Sequence, residues 1–191
     1  MNGEVYLKSM RNQFLYYKTL GEKAMDQLEP EQLFTTYNTD TNSIATIVKH
    51  LSGNMLSRWT NFLTEDGEKP WRDRDSEFEQ DIIVDREGLM EKWEKGWSCL
   101  FEALDPLRPE QLSDIVYIRN EGHTVMEAIN RQLAHYCYHV GQIIYASKLL
   151  KHDDWTSLSV PKNSSKSYNA AKFSEERTIH NFTEEELKRL K

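Results

Sequence analysis

Apolar residues recur at spacings of three and four along four long stretches of the chain, and each stretch predicts an amphipathic helix. The first runs from about Val5 to Leu28, with Leu7, Met10, Phe14, Tyr17, Leu20, Ala24 and Leu28 on one face and Pro30 just past its end as a stop signal. The second follows "TDTNS", where Asn42 or Ser43 can accept from the free first-turn N–H groups, and continues to Phe62. Its stripe is Ile44, Ile47, Val48, Leu51, Met55 and Phe62. The third spans roughly Asp85 to Leu104 and halts at "DPLRP", whose prolines cannot continue a helix. The fourth runs from near Thr124 to Leu150, with Val125, Ile129, Leu133, Tyr136, Val140 and Ile144 in line.

The connections are polar. Thr64–Asp81 is charged, rich in turn formers and the longest interruption of the body. "LSDIVYIRNEGHTV" predicts a short hairpin-like piece with its turn at Asn120–Gly122. Beyond Lys151 the periodicity fails: "SLSVPKNSSKSYNAAKFSEE" predicts a polar surface segment, and "TEEELKRLK" a final helical turn or two. No internal repeat stands out. The expected architecture is all-α, a four-helix bundle over residues 1–155 with irregular connections and a polar C-terminal extension over residues 156–191, packed on the bundle or trailing from it.

Composition narrows the function classes. With 191 residues, 38% of them hydrophobic and 11% aromatic, the chain can build one sizeable core. Its formal net charge is −7, and residues 151–191 carry eight Lys and Arg against seven Asp and Glu, so the body alone carries −8. That balance argues against a nucleic-acid partner or an anionic membrane surface, both of which need a basic face. No apolar run approaches the roughly 20 residues of a membrane span, and "MNGEVYLKSMRNQFLYY" lacks the apolar core of a signal peptide. Cys99 and Cys137 are too few for a disulfide framework and read as small buried thiols. The expected setting is the reducing cytoplasm.

Histidines carry the candidate chemistry. His135 and His139 stand four apart on the fourth helix, so both imidazoles share a side one turn apart. Taken alone, the pair fits a core edge as well as half of a metal site. On the helical wheel the two lie roughly 80–120° to one side of the apolar stripe, and His50 lies about 120° from its own stripe in the same sense. If the second and fourth helices run antiparallel, these flanks meet and His50 joins the pair. Three neutral imidazoles suit zinc, nickel, cobalt or iron, and three protein ligands leave a coordination position open. Proton competition then predicts a metal affinity that weakens steadily from pH 7.5 to 5.5, around the reference histidine pKa of about 6.5. His123 is a candidate capping or supporting group, while His152 and His180 read as solvated. Asn54, Arg58, Arg131 and Gln142 lie near the three by helical spacing and read as structural or solvated.

The blocks "IATIVKHLSGNMLSRW" and "RNEGHTVMEAINRQLAHYCYHVGQIIYASKLL" resemble the DinB/YfiT-like superfamily, most closely its uncharacterised DinB-like branch from Gram-positive bacteria, over about residues 1–160. The resemblance implies a four-helix bundle holding a metal, often nickel or zinc, on one histidine of the second helix and an H-x3-H pair of the fourth. Carried over, these are His50, His135 and His139. Relatives include bacillithiol- or mycothiol-dependent S-transferases and a mycothiol-dependent isomerase, and several form homodimers. The implied function is metal-dependent transfer of a small thiol onto an electrophile; long loops often carry such roles, so Thr64–Asp81 and the polar tail are the candidate lids. The alternative is a non-catalytic metal-binding bundle with a structural or stress-sensing role. The resemblance transfers no catalytic residue outside the three histidines.

Overall fold

The computed structural model describes residues 2–79 and 85–190. Its architecture is an all-α helical bundle with one small hairpin. The four long helices are α1 (Gly3–Met25), α2 (Ile44–Trp59), α3 (Arg86–Leu104) and α4 (Val125–Lys151). Each begins at a residue whose side chain accepts from the orphan N–H groups of the first turn: Asn2, Ser43, Asp85 and Thr124. At Thr124 the cap is reciprocal, since Glu127 Oε2 in turn accepts from the Thr124 backbone N–H at 2.9 Å. Two helices end earlier than their apolar pattern. α1 stops at Met25, with Leu28 buried from the following turn, and α2 stops at Trp59 because Asn61 adopts a positive φ of 50°. Phe62 still reaches the core from beyond that break.

The direction of each helix follows from its partners. Tyr6 bonds to Met126 and Asn130 at the starts of α1 and α4, and Gln27 bonds to Thr156 past both ends, so α1 and α4 run parallel. Arg86 pairs with Asp26 and Arg11 with Asp105, so α3 opposes α1. Ser52 meets Lys92 and Thr60 meets Cys99, so α2 and α3 are parallel. His50 lies against His139, Asn54 and Trp59 against Tyr136, and Phe62 borders the same small cavity as Ala128, so α2 and α4 are antiparallel. Two parallel neighbours need a connection that travels back along the bundle, about 24 Å for the 16 residues of α2. That return explains the long polar link after α2.

The core is aromatic at its centre. Trp97 packs edge-on against Phe14, Trp93 and Tyr136, and the Trp59 indole donates to the Tyr136 hydroxyl at 3.0 Å, which donates to Asn54 Oδ1 at 3.1 Å. The hairpin before α4 pairs β1 (Ile115–Ile118) with β2 (Glu121–Thr124) in antiparallel register. Its two-residue turn is Arg119–Asn120, both at positive φ, one position earlier than the expected Asn120–Gly122 turn. Asp66 holds this turn, accepting from the backbone N–H groups of Arg119 and Asn120 at 2.8 Å each.

The sequence does repeat one small device. "PEQL" follows both α1 and α3, and each copy forms the same tight turn, with Gln32 and Gln111 accepting from the backbone N–H three residues earlier. In the C-terminal extension, where a polar surface segment was expected, α5 (Ser165–Phe173) is a nine-residue helix with no buried residue. The final turns form α6 (Phe182–Arg189), which docks on α1 through the Tyr16–Phe182 ring contact and the Lys8–Glu184 ion pair. Among the described residues no helix is long and apolar enough to cross a membrane.

Candidate metal centre

The antiparallel α2 and α4 bring the three histidines together, as the shared flank of the two helices predicts. His135 Nε2 lies 3.4 Å from His50 Nε2 and 3.1 Å from His139 Nε2, and one ligand atom from each falls within 4.8 Å of the others. Two imidazole nitrogens bound to one tetrahedral zinc at about 2.0–2.1 Å sit about 3.3 Å apart, so this spacing fits a shared ion.

The outer nitrogens decide what the cluster can hold. His50 Nδ1 is 2.8 Å from Glu77 Oε2, and Arg72 grips the same carboxylate through two bonds of 2.8 and 2.9 Å. Burial pushes the Glu77 carboxyl up, but the bonds from His50 and Arg72 outweigh it and hold the group below the usual carboxylate range. An ionised carboxylate only accepts, so Nδ1 of His50 carries a hydrogen, and in the neutral ring Nε2 is then a bare lone pair. His139 does the same, donating from Nδ1 to Gln142 Oε1 at 2.8 Å. Two lone pairs thus face His135, whose one Nε2 hydrogen cannot satisfy both, whereas a cation satisfies all three. Metal-ligating histidines are oriented by just such outer partners.

Protonation follows from the same surroundings. Burial, then the neighbouring His139 and His50, push the His135 imidazole down to about 3, and burial lowers His139 as well. His135 stays neutral well below the reference value and His139 is shifted the same way, which moves proton competition to lower pH than the sequence suggests. Three imidazoles titrating at about 6.5 would weaken metal binding on the order of 1000-fold between pH 7.5 and 5.5. The expected change here is smaller than that, because His135 takes up no proton in this range. Competition against a chelator across that range checks it, and a 1000-fold loss would contradict the lowered imidazoles.

The cluster forms one wall of a cavity of about 480 Å³ that also takes in Asn54, Arg58, Arg131 and Gln142. Asn54 serves Tyr136, Arg58 bonds the Gly67 carbonyl and Glu68, and Gln142 orients His139 directly. His123 sits beside Arg131 on β2, outside the cluster, and His152 and His180 are exposed. Cys137 turns to Tyr17, and burial pushes both cysteine thiols up, so neither is a poised nucleophile. Of the two expected lids, the loop contributes Arg72, Arg74 and Phe78, whose ring lies 5.0 Å from that of His50, while Asp81 falls outside the described residues. Among the described residues none of the C-terminal extension lines the cavity, because α6 packs against α1 instead. Sequence reasoning missed Glu77 and Arg72, which sit in a charged run that reads as solvated.

A family described as "Protein of unknown function (DUF1572)" matches residues 2–164. The chain belongs to the DUF1572 family. DUF1572 is a DinB-like family, which accords with the resemblance carried by the α2 and α4 blocks. No curated protein and no solved structure matches the chain. The DUF1572 match covers all four bundle helices and stops just before α5.

Proposed function

We propose that this DUF1572 chain is a divalent-metal protein in which His50, His135 and His139 are the ligands, and that its centre carries out transfer of a small thiol, of the bacillithiol type, onto an electrophilic small molecule. The observation that carries the reading is the convergence of three ligand atoms, and no fourth among the described residues, on the wall of an open cavity. Three protein ligands with space beside them suit a reacting centre, whereas purely structural sites are closed by a fourth. Zinc or nickel fits the imidazole set, with iron or cobalt as other occupants.

Bound there, the metal would favour thiolate over thiol near neutral pH. Lowering a thiol of pKa about 8.5 by about two units raises its thiolate fraction at pH 7 more than tenfold. The chain's own residues prepare the site. Glu77 and Gln142 keep the Nδ1 hydrogens of His50 and His139 in place, and Phe78 covers the His50 ring from the loop. With Cys99 and Cys137 unactivated, the sulfur comes from a diffusible cosubstrate. The reading includes a cytoplasmic setting, where such thiols stay reduced, and a homodimeric assembly.

The test is a rate. Metal-loaded protein with bacillithiol or another small thiol should accelerate conjugation of a chromogenic aryl halide, and His139→Ala should remove that acceleration while helical content persists. If a panel of thiols and electrophiles shows no metal-dependent rate above the His139→Ala control, the centre is a non-catalytic one, serving stability or sensing.

A further inference from the structure

We propose that the cavity over the three histidines selects substrates bearing an oxyanion, a carboxylate or phosphate, and that Arg131 receives it. The inference rests on the reading of that cavity as the reaction site and names the class of molecule that enters it.

The charge of the lining is the first observation. Five arginines border the cavity, Arg58, Arg72, Arg74, Arg119 and Arg131, and no Asp or Glu among the described residues does. This is a basic pocket in a chain of net charge −7. The arginines come from α2, the long loop, the hairpin turn and α4, so four separate segments turn cations toward one space. The loop is acidic in sequence yet sends Arg72 and Arg74 inward. Such a pocket concentrates anions and steers them to the centre.

The partners separate structural from available cations. Arg72 is committed to Glu77, and Arg58 and Arg119 share Glu68 at 3.2 and 3.0 Å. Arg74 lies over the Phe78 ring and 3.8 Å from the exposed Asp75. Arg131 alone of the five has no ion pair among the described residues; its one polar neighbour is His123 Nε2 at 3.5 Å. It stands one turn before His135 on the same face of α4, about 6 Å along the axis. An oxyanion on its planar guanidinium therefore lies within a few bonds of the histidine cluster, and a guanidinium binds carboxylate or phosphate through two parallel hydrogen bonds.

A second, independent observation points to an occupant. Gln132, next to Arg131, is 3% exposed and lines the cavity, yet its Oε1 has no hydrogen-bond partner among the described residues. A buried acceptor left unmet is costly. A turn of the Gln132 side chain toward the cavity would let the hydroxyl or amide N–H of an entering molecule satisfy it while the oxyanion sits on Arg131.

Calorimetric titration of the full chain, as purified, tests this with three probes: succinate, mercaptopropionate and mercaptoethanol. Succinate should bind and lose about tenfold or more in affinity in Arg131→Gln, the scale of one charge-assisted pair. Mercaptopropionate should bind about tenfold more tightly than mercaptoethanol, and R131Q should erase that preference. Arg131 is exposed, so the variant should fold as the parent does. Lys95→Gln, which removes an exposed charge on α3, should change nothing. Equal affinity for the two thiols, no effect of R131Q, or an equal loss in K95Q overturns the oxyanion site while leaving thiol transfer untouched. Arg131-dependent binding of succinate and mercaptopropionate at equal affinity, with no binding of mercaptoethanol, upholds the oxyanion site and leaves the sulfur without a role, which defeats the transfer reading instead.

Discussion

Replacing His50, His135 and His139 together by alanine is expected to take bound transition metal from about one ion per chain to background, since among the described residues no other such cluster remains to hold it. Variants at His152 and His180, both exposed and outside the cluster, should keep the ion. Elemental analysis of the purified proteins reads the difference directly. The contrast is informative because the bundle does not lean on these three rings. The α2–α4 contact is also made by Trp59, Tyr136 and Asn54, joined by two buried hydrogen bonds, so helical content should persist by circular dichroism. Full metal content in the triple variant would show that the ligands lie elsewhere and would remove the basis for the proposed chemistry.

Much of the bundle was legible because its signals are periodic. The stripes of α1 to α4 show in the sequence at spacings of three and four, and Ser43, Asp85 and Thr124 cap helices where an acceptor side chain precedes an apolar stripe. The histidine cluster was legible for the same reason, since two helix flanks of the same sense must meet when the helices are antiparallel. What surrounds the cluster was not. Glu77 and Arg72 belong to "RDRDSEFEQD", where alternating charge is ordinarily solvated, and only the return of the chain alongside the parallel α2–α3 pair buries them. One hint was present. Gly53 stands inside α2, where glycine costs about 1 kcal/mol against alanine and needs a reason. The reason is the Glu77 carboxylate, which occupies the space that a Cβ at Gly53 would take. The hairpin turn was misplaced by one residue because arginine rarely adopts the positive φ that Arg119 takes; Asp66 stabilises it from the loop, a long-range contact that local rules do not contain. The helix α5 escaped because it has no buried face to print on the sequence.

Glu77→Ala is expected to damage both stability and metal binding, and the two losses have separable causes. The Arg72 side chain is 3% exposed and grips Glu77 through two hydrogen bonds, while Glu68 approaches only to 3.9 Å. Removing one partner of a buried pair leaves an uncompensated charge and costs about 3–5 kcal/mol. In a chain of this size that lowers the melting temperature by roughly 10 °C. The same change strips His50 Nδ1 of its acceptor, and loss of such an outer partner weakens metal binding by about 10–100-fold. Glu77→Gln retains an oxygen that can accept from Nδ1, so its metal affinity should lie between those of the parent and the alanine variant. The double variant Arg72→Met, Glu77→Leu separates the effects, because it removes both charges from the buried space. Replacing a buried ion pair by apolar residues of similar volume is often neutral or stabilising. Its melting temperature should therefore recover most of the loss, while its metal affinity stays low because His50 still lacks an acceptor. Thermal unfolding and chelator competition on the four proteins measure the two quantities side by side. Recovery of metal affinity together with stability in the double variant would show that Glu77 acts on the centre only by holding the loop in place, and its role in orienting His50 would fall.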